Sequence, residues 1–266
     1  MNREIGSILS MDVLNFLRKI EVRGKYDLAH RIMNDLSQIF RYAITIGLID
    51  TDPTEKLKGA LTPHSGKNFT TINKTELASF LNAINHYQGK NSILMALKMM
   101  TLTFVRTSEL IGARWDEFNL KEKIWTIPGE RMKMGVTHIV PLSNQIIDLI
   151  HTIRNDHNNQ DFLFPNSINT GPLQSNRMIY ALYKMGFKNK MTVHGFRSLA
   201  STILNENGFN ADVIERQLAH IDGNSVRRAY NRAQYLEDRI KMMQWWSNYI
   251  NDHCPTFINS QQLLLI

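Results

Sequence analysis

The sequence predicts a mainly α protein with one small antiparallel sheet. Through most of the 266 residues, apolar side chains recur at helical spacing. Only residues 115–142 change to the period of strands. A stretch rich in Gly, Pro, Thr, Ser and Lys, residues 59–70, marks a boundary between a short helical part and a longer one.

Leu14, Leu17 and Ile20 give the first helix its apolar face, and Gly24 ends it. Leu28, Ile32, Leu36, Ile39, Phe40 and Ala43 form the stripe of a second helix that stops at Gly47. Asp52-Pro53 then starts a turn. Beyond the boundary, a helix is expected from Asn73, with Glu76 three residues on as in a capping box. Residues 92–105 are apolar nearly all round and are expected at the centre of the core. A short helix at 108–114 follows. Ile124–Ile127 and His138–Leu142 read as strands, with Gly129 and Gly135 turning between them, so Lys133 falls at a strand end beside its turn. Helices are expected again at 144–154, 175–185, 195–206, 211–219 and 224 to about 250. The resulting division is a helical domain at 1–60, a linker at 61–67, a second domain at 68–252 and a tail at 253–266. The apolar end of that tail, Leu263–Ile266, finds no partner in the chain, so the last helix and tail are expected to dock onto a neighbouring subunit.

Lys and Arg number 31 against 24 Asp and Glu, a net charge of +7 and a pI near 9.5. That balance makes nucleic acid a fair partner. The single cysteine, Cys254, excludes an intramolecular disulfide and a cysteine-based zinc site, and reads as a bystander in a reducing cytoplasm. The first residues do not resemble a signal peptide, and the most apolar window, 93–105, is too short and too polar to span a bilayer.

The chemistry concentrates between Thr192 and Tyr230. His194-Gly195-Phe196-Arg197, Leu218-Ala219-His220 and Tyr230 follow one another, and Arg106 and Lys133 lie upstream. In this order they suit attack on a phosphodiester by a phenol. A phosphoryl group under attack gathers negative charge on its non-bridging oxygens, which cations must meet. No Asp/Glu cluster has metal-ligand spacing, so side chains are expected to supply those cations, with no metal or ATP. Arg106 and Arg197 have the planar fork that grips phosphate. A tyrosine phosphoester conserves the energy of the broken bond, but the phenol's ordinary pKa near 10 calls for a base such as His194 or for local positive charge. His220 is placed to donate a hydrogen bond to a non-bridging oxygen, and Lys133 to protonate the leaving 5′ oxygen. His138, His151 and His157 read as structural, Tyr235 as packing, and Trp245 and Trp246 as core or interface anchors.

The ordered set resembles the tyrosine recombinase (phage integrase) family, most closely the integrases of satellite phages and genomic islands. Val105-Arg106-Thr107-Ser108-Glu109-Leu110 matches the family's first arginine box, with Ser108 where many relatives carry glycine. Lys133 matches its hairpin lysine, His194–Arg197 its His-x-x-Arg box, and Leu218–His220 its Leu-(Gly/Ala)-His element. Tyr230, ten residues after His220, matches the nucleophile, and Asn231-Arg232-Ala233 and Met242–Trp246 are typical of the subgroup. The resemblance covers about residues 12–250. It implies the DNA breaking-rejoining fold, preceded by part of a helical core-binding domain. The start near Met11 reads as that of an N-terminally shortened integrase. It also implies site-specific integration and excision of a mobile element through a 3′-phosphotyrosyl link. Partners would be double-stranded attachment sites, three further copies in a tetramer, and DNA-bending accessory proteins, in the bacterial cytoplasm. Two alternatives stand: a type IB topoisomerase-like nicking-closing enzyme, and an inactive DNA-binding remnant. Glu109 reads as orienting its neighbours. Arg31, Arg41, Arg227, Arg228 and Arg232 are candidates for backbone phosphates, carrying affinity rather than sequence information.

Overall fold

In the computed structural model of the chain, the residues described are 3–63, 70–156, 161–166, 168, 170–220 and 235–258. They fall into two compact units that divide between residues 68 and 69.

The first unit is built on two helices, α1 (Ser10–Glu21) and α2 (Tyr26–Thr45), which pack together. Val13 and Leu17 meet Ala29 and Phe40, and Leu57 and Leu61 close the far side. The chain stays with this unit through Thr62. The Thr62 amide donates to Glu21 Oε1 (2.8 Å), and its carbonyl lies 2.9 Å from the His30 ring.

The second unit is organised around α4 (Asn91–Thr103), in which every residue from Ile93 to Thr103 is buried. Its polar members are satisfied locally. Thr101 and Thr103 donate to the carbonyls one turn back, and Lys98 Nζ reaches Asn85 Oδ1 at 2.9 Å. Burial pulls the Lys98 pKa down to about 8. Helices α3 (Leu77–Asn85), α6 (Asn144–Asp156) and α7 (Asn176–Lys184) pack on α4. The capping box at Asn73 and Glu76 forms as the sequence predicts, with the Asn73 amide donating to Glu76 Oε2 at 2.9 Å.

The short helix after Arg106, α5, spans only Thr107–Ile111, not 108–114. Arg114 is instead extended and bridges to Phe162. The sheet has three strands in the order β1-β2-β3, all antiparallel: β1 (Phe118–Asn119), β2 (Ile124–Ile127) and β3 (His138–Pro141). The sequence reading did not separate β1, because two residues leave no period to detect. Trp125 pairs with Phe118 on one side and Val140 on the other, and is fully buried. Gly129 is required in the β2–β3 connection: a Cβ there would lie 2.5 Å from the Gly135 carbonyl oxygen.

Three further helices complete the unit: α8 (Gly195–Glu206), α9 (Ala211–Gln217) and α10 (Leu236–His253). The helix expected from 224 is seen from Leu236, and Tyr235 before it has a left-handed backbone, φ 43°. Tyr235 therefore caps a helix rather than lying within one. One face of helix α10 is taken up by its own unit. Met242, Met243, Trp246 and Ile250 are buried in its own unit, and Trp246 Nε1 donates to the Thr101 carbonyl (2.8 Å). Cys254 and Phe257 are buried in the same core, with Lys98 over the Phe257 ring. Leu263–Ile266 lie outside the described residues. No described helix is long and apolar enough to cross a membrane.

Candidate active site

The site assembles on two chain reversals and the start of a helix. The first ends α4. Phe104, buried and not glycine, adopts φ 40°, and so turns the chain out of the helix two residues before Arg106. Such a left-handed residue costs about 1–2 kcal/mol. Arg106 then caps α5. Its amide donates to Glu109 Oε2 (2.7 Å), while its Nη1 donates to Glu109 Oε1 (2.8 Å). Glu109 is 1% exposed, so both carboxylate oxygens are held by Arg106 in a buried place.

The second reversal ends α9. The Ala219 amide donates to the Arg216 carbonyl (3.1 Å) and the His220 amide to the Glu215 carbonyl (3.0 Å), with Ala219 at φ 49°. These are the two bonds of a Schellman cap, whose left-handed position favours glycine. Ala219 thus holds, at some strain, a position that glycine fills without cost. The cap exposes two carbonyls to the arginines. Arg106 Nη2 donates to Ala219 O (3.0 Å) and Arg197 Nη2 donates to Leu218 O (2.6 Å).

The third element is the start of α8, where Gly195 is required for a different reason. A Cβ on it would meet the Thr70 carbonyl oxygen at 2.7 Å. The close approach fixes His194 before the helix and aims Arg197 inward. Arg197 is 3% exposed. Its Nη1 donates to the Phe104 carbonyl (3.0 Å), and its Nη2 lies 3.1 Å from His220 Nε2. Burial first, then the Arg106 charge, pull the Arg197 pKa to about 10, which leaves it protonated at neutral pH. The His194 pKa is lowered by burial first and then by Arg197, His220 and Arg106, so these three groups are its neighbours. A lowered pKa keeps His194 neutral and able to accept a proton near pH 7.

Four of the six predicted residues therefore meet: Arg106, His194, Arg197 and His220. Lys133 is exposed in the β2–β3 connection, and its neighbours Met132 and Met134 line a small cavity with Arg106 and Ala219. Tyr230, Arg227, Arg228 and Arg232 lie outside the described residues. In the first unit, Arg31 is 67% exposed and pairs with Asp27 one turn away (3.1 Å). Arg41 lines a cleft with Asp50, Asp52, Glu55 and Lys58, and its Nε donates to the Ser37 carbonyl (3.2 Å).

Three groups beside the site went unread in the sequence. Glu215 Oε2 accepts from His220 Nδ1 at 2.7 Å. Gln217 and Arg239 form a buried link behind the cap: Arg239 Nε donates to Gln217 Oε1 (3.1 Å), and its Nη2 donates to the Ile139 carbonyl. His138 packs there too, with Nε2 donating to the Gln217 carbonyl (3.1 Å). Burial first, then Arg239 and Arg216, push the His138 pKa to about 3. The structural reading of His138 agrees with this packing. Arg239 sits nine residues beyond Tyr230, a spacing with no sequence signature of its own.

The sequence profile of the phage integrase family matches residues 70–237, and that of the phage integrase central domain matches residues 1–60. The integrase of Enterobacteria phage P4 is 35% identical over 273 residues, covering 96% of this chain and 62% of its own. The chain thus spans less than two thirds of that relative's length. Among solved structures, a lambda integrase dimer bound to a COC′ core site superposes with a TM-score of 0.64 at 16% identity, over 86% of this chain and 66% of that one. A lambda integrase tetramer bound to a Holliday junction has a TM-score of 0.64 at 17% identity, over 83% and 66%. These two share the fold.

Proposed function

The chain belongs to the phage integrase family, and from that membership we propose that it cuts and rejoins duplex DNA at specific sites through a tyrosine. The observation that carries the reading is the convergence of both arginines on the Leu218–His220 turn, with His194 beside them. A guanidinium has five N–H groups. Arg197 directs one at Phe104 O, one at Leu218 O and one at His220, and the last points at a side chain that a phosphate oxygen can displace.

In this reading the Tyr230 phenol loses its proton to neutral His194 and attacks phosphorus. The O–P bond to tyrosine forms as the bond to the 5′ oxygen breaks, and Lys133 delivers a proton to that oxygen. Arg106 and Arg197 meet the charge that grows on the non-bridging oxygens. Because their forks are held before substrate arrives, little reorganisation accompanies the step. The product is a 3′-phosphotyrosyl link and a 5′ hydroxyl, and a 5′ hydroxyl from a partner duplex reverses the reaction. Arg31, exposed in the first unit, contributes a backbone phosphate contact; Arg41 contributes less, since it shares a cleft with Asp50, Asp52 and Glu55. The DNA in the two lambda integrase structures supports duplex DNA as substrate, and the tetramer supports four copies as the working assembly. The place of action is the bacterial cytoplasm.

A nicked suicide duplex carrying the cognate site tests the reading. Denaturing gels should show a covalent adduct with the wild type and none with Tyr230→Phe. An adduct that persists in Tyr230→Phe removes the assigned nucleophile.

A further inference from the structure

The α9 cap brings two side chains together as well as two backbone groups. Glu215 and His220 occupy its first and last positions, and their backbones are joined by the 3.0 Å bond from the His220 amide to the Glu215 carbonyl. Cap geometry usually puts an apolar pair at these two places. Here the pair is polar: the His220 ring meets Glu215 through Nδ1 at 2.7 Å, while Nε2 meets Arg197 Nη2 at 3.1 Å.

The two contacts fix the proton on the ring. Arg197 has only donors, so Nε2 must be the acceptor. A carboxylate oxygen accepts, so Nδ1, 2.7 Å from Glu215 Oε2, must carry the hydrogen. A neutral His220 with the proton on Nε2 would set donor against donor at Arg197 and lone pair against lone pair at Glu215. We propose that Glu215 is a positioning residue for the recombination step: it holds His220 in the tautomer whose Nε2 faces Arg197. This rests on the function proposed above. The consequence is directional. Any further proton taken up by the ring goes to Nε2, the nitrogen beside the guanidinium that grips phosphate, and Nε2 then donates to a non-bridging oxygen. The ring stays oriented throughout, because the Nδ1–H bond to Glu215 is unchanged. Partners that orient a metal-bound imidazole through its other nitrogen matter by about 10–100-fold, which sets the scale for Glu215.

Glu215 and His220 are both about half exposed, so substitution of Glu215 leaves the core intact. The test compares Glu215→Ala with Glu215→Gln, whose amide oxygen still accepts from Nδ1–H. Histidine side-chain 15N spectra of the full chain at neutral pH, with His220 assigned by its loss in His220→Ala, report the tautomer without any turnover. The wild type and Glu215→Gln should show the Nδ1–H form, and Glu215→Ala a mixture of both forms. Adduct formation on the suicide duplex should fall about tenfold in Glu215→Ala and recover to within about threefold of wild type in Glu215→Gln. An unchanged His220 tautomer in Glu215→Ala overturns the proposal. So does a Glu215→Gln variant that keeps the tautomer but loses as much activity as Glu215→Ala. If the wild type forms no adduct, the recombinase reading fails, while the spectra still decide the tautomer.

Discussion

Arg197 and Lys133 are proposed to serve the same phosphodiester from opposite environments. Arg197 is 3% exposed and bound to two backbone carbonyls and an imidazole. Lys133 is exposed in the connection between two strands. The difference separates two kinds of cation proposed for one reaction. One is part of the fold, aimed before substrate arrives, and held by backbone whose left-handed residues, Phe104 and Ala219, are themselves strained. The other is free of the core, as a group that must carry a proton to a leaving oxygen should be. Loss of the first therefore damages stability and chemistry together; loss of the second touches chemistry alone.

The largest effect expected is that of Arg197→Ala. It removes the donors that Arg197 directs at the Phe104 and Leu218 carbonyls, at about 3 kcal/mol in all. The thermal midpoint should drop by roughly 6–12 °C. Adduct formation should fall at least about a thousandfold, from the lost charge and the loosened turn. Unchanged melting would show that the buried fork is not structural, and would erase the contrast with Lys133.

Lys133→Ala comes next. Adduct formation should fall by about 10²–10³ with stability altered by less than about 0.5 kcal/mol. A bridging 5′ sulfur, which leaves without needing a proton, should restore most of the rate. Failure of that substrate to rescue Lys133→Ala would remove the acid role from this residue.

His138 tests the buried side of the comparison by pH. Its folded pKa is about 3 against 6.5 for the free side chain. Between those values the unfolded chain binds a proton that the folded protein does not, so stability falls as pH falls through this window and is intact above it. From about pH 6.5 to about pH 5 the loss is roughly 2 kcal/mol. His138→Asn should flatten the urea-unfolding profile by that amount. A variant with the wild-type pH slope would show that the ring is not held neutral between Gln217 and the two arginines.

The contrast also explains what was legible in the sequence. Arg106, His194, Arg197 and His220 stand in motifs whose spacing is set by local backbone, such as the glycine at 195 and the left-handed residue at 219. Helix periodicity likewise gave α4, because a segment apolar on every side has only the core to occupy. Strand β1 went unread because pairing with β2, not periodicity, defines it. Arg239 went unread because its meaning lies in contacts with Gln217 and Ile139, distant in the chain. Glu215 had a faint signal: it precedes His220 by five residues, the span of a Schellman cap, once Ala219 is recognised as the left-handed position. An acid at that spacing is informative only when the histidine after it is already suspected.

The smallest effect is expected in the first unit, where Arg31 is proposed to contact backbone phosphate and to take no part in the chemistry. Arg31 pairs with Asp27 one turn away at 3.1 Å, with both side chains largely in solvent. Such pairs contribute about 0.3–0.5 kcal/mol, so Arg31→Ala should leave the melting profile nearly unchanged. Its effect should show in binding, and in a particular form. A phosphate contact releases about one counterion, so the slope of log affinity against log salt should become shallower by about 0.9. The weakening should be equal on cognate and unrelated duplexes, because a phosphate contact reads no base. Arg41→Ala, among Asp50, Asp52 and Glu55, should change the slope less. If Arg31→Ala weakens cognate binding alone, the side chain reads sequence, and surface exposure in this unit marks recognition rather than affinity.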